Sequence, residues 1–277
     1  MYSMSVVALY DSEKTLDIYD AVKQYIPDEL KNREEYQYKK GNKTHIPLPR
    51  ESEAYNKVFE LAKEYNVSIY HTYEFTEYTK EELKNAEYFV MYISDPLESE
   101  GKFALDYGTE YTDCCPVCKI GGKTIGDVLI DRKFVKKYGI ASLRPDIFVS
   151  KEVKWLIEEN QLTGVRFESM VKDYKGRDIP EYYCMTFENI LKPMHEKTWL
   201  SYNPMAKKCN ECGIEVPYLK SHCYYLQEAF NDAKDFNRTY EFLDNWAERR
   251  IIVSKKVKEL FSKYKVRVGY EMINIIE

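Results

Sequence analysis

Two short cysteine motifs organise this sequence: Cys115-Pro116-Val117-Cys118 and Cys209-Asn210-Glu211-Cys212-Gly213. Each motif is a C-x-x-C, in which the spacing lets two thiolates bind one metal ion. Four such thiolates complete the tetrahedral shell of a structural zinc. The motifs, here called the first and second hook, lie far apart in the chain. A metal ion bound by both would therefore join two distant parts of one fold.

The composition limits the classes of function to consider. The chain has 277 residues, 44% of them hydrophobic, which is enough for one large domain or two small ones. The net charge of −5 comes from well-mixed acids and bases, and it disfavours a dedicated nucleic-acid binder, which usually carries a basic excess. It suits a protein whose partner is basic, and the 26 tyrosines suit contact surfaces.

The redox state of the cysteines follows from the expected compartment. The first ten residues lack the basic start and the long apolar run of a secretory signal. No apolar run approaches the ~20 residues of a membrane span. We therefore expect a cytoplasmic protein whose seven cysteines are thiols and metal ligands rather than a disulfide framework.

An internal repeat occupies the second half of the chain. The segment Ile147-Phe148-Val149-Ser150-Lys151-Glu152-Val153-Lys154-Trp155-Leu156-Ile157 is matched by Ile251-Ile252-Val253-Ser254-Lys255-Lys256-Val257-Lys258-Glu259-Leu260-Phe261, with Ser150 aligned to Ser254. In each copy a short apolar strand precedes a serine that can cap a helix, and the helix carries one apolar face. A second strand follows each helix. The repeat thus predicts two strand–helix–strand units, over 147–170 and 251–273.

The remaining expectations concern the regions around these units. Residues 1–84 are expected to form an amino-terminal α/β region, and 85–277 a domain that contains both hooks. A weaker echo of the repeat at 58–69 is interpreted as an ordinary amphipathic helix, because its capping serine is out of place. We expect a buried strand at 88–93, loops at 28–50 and 171–205, and a helix at 223–236. The predicted fold class is α+β, with duplicated strand–helix–strand units joined by a split four-cysteine zinc knuckle.

The cysteine spacing predicts a zinc site with four ligands, Cys115, Cys118, Cys209 and Cys212. The glycine after the second hook fits such a knuckle, because a turn there often requires positive φ. The alternatives are two unrelated motifs or a redox-active pair. Cys114 is a substitute for Cys115, and His222 with Cys223 is an alternative ligand pair. Cys184 is expected to be a buried structural thiol.

Catalytic motifs are lacking in the sequence. It contains no G-x-S-x-G, no H-E-x-x-H and no phosphate-binding G-x-x-x-x-G-K-[ST]. The four histidines show no metal-ligand spacing among themselves. A zinc ion saturated by four cysteines has no open position for water, so the expected metal is structural rather than catalytic.

The order of these features resembles the double-CXXCG proteins and their relatives among the bacterial polymorphic-toxin immunity proteins. That pattern places one cysteine knuckle, a V-S-x-x-V-x-x-L helix unit, a C-x-x-C-G knuckle and a closing helix unit in sequence. Here the features are the first hook, Val149 to Leu156, the second hook and Val253 to Leu260, and the resemblance covers about 85–277. The chain departs from the pattern at Lys119, where the family has glycine. The resemblance implies a non-enzymatic bacterial protein that binds and neutralises a cognate toxin.

Two other functions remain open from the sequence. A zinc-ribbon nucleic-acid-binding protein would need a basic face near the hooks. The candidates are Lys119, Lys123, Arg132, Lys136 and Lys137 near the first hook, and Lys207 and Lys208 near the second. An enzyme that uses cysteine or histidine would need a hyper-reactive thiol. The function that we expect is that of an immunity-type protein, whose partner is a toxin and which binds neither a membrane nor a nucleic acid.

Overall fold

The computed structural model describes most of the chain. The described residues are 2–10, 12–38, 41, 43–50, 52–93, 110–112, 115–117, 120–125, 127–130, 139–143, 146–168, 171–173, 175–202, 208–244 and 247–276. The fold is mixed α and β and divides into two compact units. The first unit contains residues 1–85 and 220–222, and the second contains 86–219 and 223–277.

The first unit is a three-stranded antiparallel sheet covered by helices. Its strands are β1 (Tyr2–Leu9), β2 (Thr44–Leu48) and β3 (Ile69–Glu77), in the order β2-β1-β3. Its helices are α1 (Thr15–Val22), α2 (Asp28–Lys31), α3 (Glu53–Glu64) and α4 (Lys80–Asn85), with 3₁₀ turns at Lys23–Tyr25 and Glu34–Tyr36. The core forms between the central strand β1 and the apolar faces of α1 and α3.

The expectation of a loop at 28–50 was wrong. This segment contains α2, a 3₁₀ turn and the strand β2, whose Ile46 and Leu48 are fully buried. Pro47 lies in β2 opposite Val6. Proline has no backbone N–H to donate to a neighbouring strand. It is tolerated here because β2 lies at the edge of the sheet and has a neighbouring strand on one side only.

The second unit contains the hooks and both repeat copies. Its first strands are β4 (Tyr88–Ile93), β5 (Glu110–Thr112), β6 (Lys123–Ile125), β7 (Val128–Ile130), β8 (Ile140–Leu143), β9 (Asp146–Ser150), β10 (Val165–Glu168), β11 (Val171–Asp173) and β12 (Tyr182–Phe187). They are followed by β13 (Leu200–Ser201), β14 (Tyr218–Leu219), β15 (Tyr224–Leu226), β16 (Phe236–Arg238), β17 (Ile251–Ser254), β18 (Val268–Met272) and β19 (Asn274–Ile276). The helices are α5 (Lys151–Glu159) and α6 (Lys255–Lys263), and a 3₁₀ turn covers Gln227–Phe230.

Two four-stranded sheets of this unit have the same strand order. One is β8-β9-β12-β10 and the other is β16-β17-β4-β18. In each, a helix connects the second strand to the fourth, and the middle strand between them runs antiparallel to both. The pairing register is also the same: Ser150 lies opposite Tyr182 as Ser254 lies opposite Tyr88.

The two helices begin and end in the same way. The backbone N–H of Val153 donates to the Ser150 hydroxyl at 3.3 Å, and that of Val257 donates to the Ser254 hydroxyl at 3.4 Å. Each helix is followed by a left-handed residue, Gln161 with φ 51° and Lys265 with φ 56°. The predicted caps are therefore confirmed at both helices.

The weaker echo in the first unit has the same local geometry. The backbone N–H of Tyr55 donates to the Ser52 hydroxyl at 3.1 Å, and Asn66 after the helix has φ 54°. Helix α3 has 12 residues where α5 and α6 have 9, so its serine lies one turn further from the helix end. The interpretation of this segment as an ordinary amphipathic helix rested on a capping serine that is out of place, and Ser52 does cap α3 one turn earlier than Ser150 and Ser254 cap α5 and α6.

Two further segments differ from expectation. Residues 171–205 include β12, the middle strand of a sheet, whose Cys184 and Met185 are both buried. A strand covered on both faces shows no alternation of apolar and polar residues, so its sequence did not stand out. Residues 223–236 form β15, a 3₁₀ turn and the start of β16 rather than a helix.

One hydrophobic core serves both four-stranded sheets together with helices α5 and α6. It contains equivalent residues from the two strand–helix–strand arrangements, namely Met185 and Met91, Ile147 and Ile251, Val149 and Val253, Val153 and Val257, and Ile157 and Phe261. The two sheets therefore share this core and are expected to fold together, while the other face of the β16-β17-β4-β18 sheet packs on a second cluster that includes Val90, Ile252 and Tyr225.

Candidate metal centre

Each hook is closed by the same kind of backbone hydrogen bond, from its first cysteine to the residue five positions later. The N–H of Cys115 donates to the carbonyl of Ile120 at 3.1 Å, and the N–H of Cys209 donates to the carbonyl of Ile214 at 3.0 Å. Gly213 has φ 68°, as the sequence predicted for the glycine after the second hook. Its N–H donates to the carbonyl of Cys209 at 2.8 Å. A side chain at this position would favour a different backbone conformation.

The sulfur atoms of three predicted ligands lie together. The Sγ atoms of Cys115 and Cys209 are 3.7 Å apart, and those of Cys115, Cys209 and Cys212 all lie within 4.8 Å of one another. Two sulfurs that each lie about 2.3 Å from a tetrahedral zinc ion are separated by about 3.8 Å. The cluster therefore has the dimensions of part of a tetrahedral thiolate site.

The backbone of the second hook favours the thiolate form of its first cysteine. The N–H groups of Cys212 and Glu211 donate hydrogen bonds to the Cys209 sulfur, and they lower the pKa of this thiol. Backbone N–H groups stabilise the negative charge that a metal-bound sulfur carries. The same N–H groups would remain in place when the thiolate binds a cation.

Among the described residues, the cluster does not include the other candidates His222, Cys223 and Cys184. Cys118 and Cys114 both lie outside the described part of the chain. Cys223 is fully buried in the second unit, and burial raises the pKa of its thiol. The Nε2 atom of His222, in the first unit, accepts the N–H of Thr76 at 2.7 Å. Cys184 is buried, as expected.

Sequence reasoning overlooked a second offset that links the hooks to the sheets. Cys115 and Cys209 are 94 positions apart, and so are the segments 87–93 and 181–187, which contain the two middle strands. The carbonyl of Glu181 accepts the N–H of Lys151 at 2.8 Å, and the carbonyl of Glu87 accepts that of Lys255 at 2.7 Å. The sequence contains a signal for this second offset, because the pattern Glu-Tyr-x-x-Met occurs in both segments. Both occurrences lie outside the two strand–helix–strand copies of the repeat, 147–170 and 251–273.

Comparison with protein-family models and with curated proteins finds no match for this chain. No helix in the described ranges is long and apolar enough to cross a membrane.

Proposed function

We propose that the second unit is held together by a structural zinc ion with Cys115, Cys118, Cys209 and Cys212 as ligands. The observation that carries this proposal is the 3.7 Å separation of the Cys115 and Cys209 sulfurs, which come from different hooks. Tetrahedral sites made of four thiolates hold zinc or iron, and we propose zinc. Bound in this way, it would contribute to the stability of the fold rather than to catalysis.

The fourth ligand is proposed from the equivalence of the hooks. Cys212 follows Cys209 by three positions, and Cys118 stands in the same relation to Cys115. The neighbouring Cys114 corresponds to Lys208 in the second hook.

Zinc content tests this assignment directly. We expect Cys118→Ser to lower the zinc content of the purified protein and Cys114→Ser to leave it near one ion per chain, because only the first change removes a ligand. Elemental analysis of both variants after dialysis against a weak chelator measures this. Loss of zinc from the Cys114→Ser protein alone would reverse the assignment.

We further propose that the second unit arose by duplication of a half that contained a strand, a hook and a strand–strand–helix–strand segment. The first half would run from β4 through the first hook to β10, and the second from β12 through the second hook to β18. The shared register and the shared offset support this proposal. Each half would then contribute its first strand to the sheet of the other, since β4 pairs with β17 and β12 with β9. The zinc would add a second connection between the same two halves.

We infer that the protein is a non-enzymatic binding protein of the immunity type, which neutralises a cognate toxin. The family pattern of two hooks and two helix units supports this role. So do the composition, with its acidic charge and many tyrosines, and the ligand set, which leaves a zinc ion no open position for substrate.

The test is neutralisation in cells, combined with binding in solution. The product of a neighbouring gene that arrests growth is expressed with and without this protein, and the affinity of the purified pair is measured. We expect growth to be restored and a stable complex to form. A neighbouring product that arrests growth to the same extent in the presence of the protein, without forming a complex, would contradict this function.

A further inference from the structure

Helices α5 and α6 pack on the shared core so that the end of each lies beside the beginning of the other. The end of α5 and the beginning of α6 form one junction, here called the sealed end. The beginning of α5 and the end of α6 form the other junction, here called the open end. Because the two strand–helix–strand arrangements are equivalent, the two junctions would be alike if the sequences were identical.

A network of hydrogen bonds closes the sealed end. The Asp235 carboxylate accepts the N–H and the hydroxyl of Thr163 at 2.9 and 3.0 Å, and the hydroxyl of Ser254 at 2.8 Å. The Lys256 ammonium donates to the carbonyl of Asn160 at 2.9 Å. These contacts join the loop after α5 to the beginning of α6.

The backbone also approaches closely at the sealed end. The N–H of Phe236 donates to the carbonyl of Thr163 at 3.0 Å. A Cβ atom at Gly164 would lie 2.1 Å from the carbonyl oxygen of Phe236. Only glycine leaves room for this contact between the two segments.

The open end differs from the sealed end at several equivalent positions. Gly139 corresponds to Asp235, since their carbonyls accept the N–H groups of Ser150 and Ser254 at 2.8 and 2.9 Å. The carboxylate that closes the other junction is therefore missing here. Along the helices, Trp155 corresponds to Glu259 and Tyr264 to Asn160.

The result is a groove with a volume of about 730 Å³. Its lining includes Gly139, Lys151, Trp155, Tyr264, Lys265 and Arg267. Trp155 is 55% exposed and Tyr264 is 48% exposed, so both rings are accessible to a partner. Tryptophan, tyrosine and arginine are the residue types that contribute most to binding at protein interfaces.

The charge of the groove is opposite to that of the chain. Among the described residues, three cationic side chains line it against one carboxylate, that of Glu152, whereas the whole protein has a net charge of −5. The hydroxyl of Ser150 donates a hydrogen bond to this carboxylate and holds its pKa below the usual range. A ligand that complements the groove would therefore be acidic and would place an apolar side chain against Trp155.

We propose that the open end is a docking site for an acidic segment of a protein partner, with an apolar side chain that packs on Trp155 and Tyr264. The departure from internal symmetry supports this, because the open end lacks the sealing carboxylate and has Trp155, Tyr264 and Arg267 where the sealed end has Glu259, Asn160 and Gly164. This proposal depends on the inferred binding role in one respect, which is that the partner is a protein.

A defined peptide tests the groove without knowledge of the natural partner. The probe is a fluorescent peptide in which glutamates flank a central leucine–phenylalanine pair, and its binding to the full chain is followed by polarisation. One comparison peptide has lysine for each glutamate, and another has glycine for the apolar pair. We expect only the first peptide to bind, and more weakly as salt is raised.

Matched variants locate the binding. Trp155→Glu introduces the residue of the sealed end, and Arg267→Glu reverses one charge; each is expected to weaken binding at least about tenfold. Glu259→Ala, at the equivalent position on α6, is expected to leave it unchanged. Circular dichroism and the unfolding midpoint confirm that each variant is folded, and the two groove variants test the site independently.

Several results would overturn the proposal. These are the absence of binding by the acidic peptide, equal binding of the lysine peptide, or the same loss in Glu259→Ala as in Trp155→Glu. Self-association of the chain that Trp155→Glu abolishes would assign the groove to a second copy and would also overturn it. Toxin neutralisation is measured separately. If the peptide does not bind the groove, the inferred immunity function can still be correct, and if neutralisation fails, the groove can still bind an acidic protein segment.

Discussion

Gly164 shows how a single residue fixes the packing of the second unit. It has φ 95°, and its Cα faces the backbone of β16 at a distance that excludes a side chain. Both the left-handed conformation and the close contact therefore require glycine. Gly176 has a similar φ of 76°, but a Cβ atom there would meet nothing within 4 Å.

This pair of glycines gives the first prediction. Gly164→Ala is expected to lower the free energy of unfolding by about 3 kcal/mol or more, because strain and overlap add. Gly176→Ala is expected to cost only about 1 kcal/mol, from conformation alone. Urea unfolding of both variants measures the difference. Equal costs would mean that the close contact at Gly164 contributes nothing.

A second prediction concerns the buried carboxyl of Glu241. Burial raises its pKa, although the N–H of Met194 donates to Oε1 at 2.8 Å and lowers it in part. A carboxyl whose pKa is raised in the folded state stabilises the fold below its unfolded pKa of about 4.3, and this contribution is lost as pH rises through the folded pKa.

Glu241→Gln removes the charge while retaining an oxygen that can accept the Met194 N–H. We expect the variant to be more stable than the wild type at pH 7, by less than about 1 kcal/mol because the group is only partly buried. The advantage should shrink as pH falls toward 4. Free energies of unfolding from pH 4 to 8 measure it, and a constant difference across this range would contradict the pKa direction.

At the scale of elements, the helix caps behave as local signals. Ser52, Ser150 and Ser254 each accept a backbone N–H at the start of a helix. The Ser254 hydroxyl also donates to Asp235, which in turn bonds to Thr163. The Ser254 cap is thus part of the network that closes the sealed end.

We therefore expect the two caps of the repeat to differ in strength. Ser150→Ala should cost about 1 kcal/mol, the usual contribution of a cap, and Ser254→Ala up to about 2 kcal/mol. Chemical denaturation of the two variants under identical conditions measures both costs. A larger loss from Ser150→Ala would argue against the network at Asp235.

The same elements show how much of the fold the sequence could predict. The helices α5 and α6, their serine caps and the strand at 88–93 follow from local patterns, and each was predicted. The partner of each middle strand could not be predicted, because β4 and β12 pair with strands that are distant in sequence. The second strand of the first unit was hidden by Pro47, which is compatible with a strand only at an edge.

The candidate metal site was likewise predicted in part. The spacing of the hooks predicted the residues, and Cys115, Cys209 and Cys212 lie together. The N–H groups that lower the pKa of Cys209 depend on the path of the backbone, which spacing alone does not give. The groove at Trp155 was not predicted either, because it becomes visible only when two junctions of the folded unit are compared.

At the scale of the whole molecule, both proposed halves contribute to the core that the two four-stranded sheets share. The sulfurs of Cys115 and Cys209 meet although the residues are distant in sequence. A zinc ion at this point would close a long loop, and its binding free energy would add to the stability of the fold.

The most direct test of this account is the zinc content of the purified protein, measured together with its unfolding midpoint. We predict one zinc ion per chain in the wild type and in Cys184→Ala, which removes a buried thiol away from the site. Cys209→Ser should lose the ion and unfold at a lower denaturant concentration. A wild-type protein that contains no zinc, or a Cys209→Ser protein that retains it, would contradict the account.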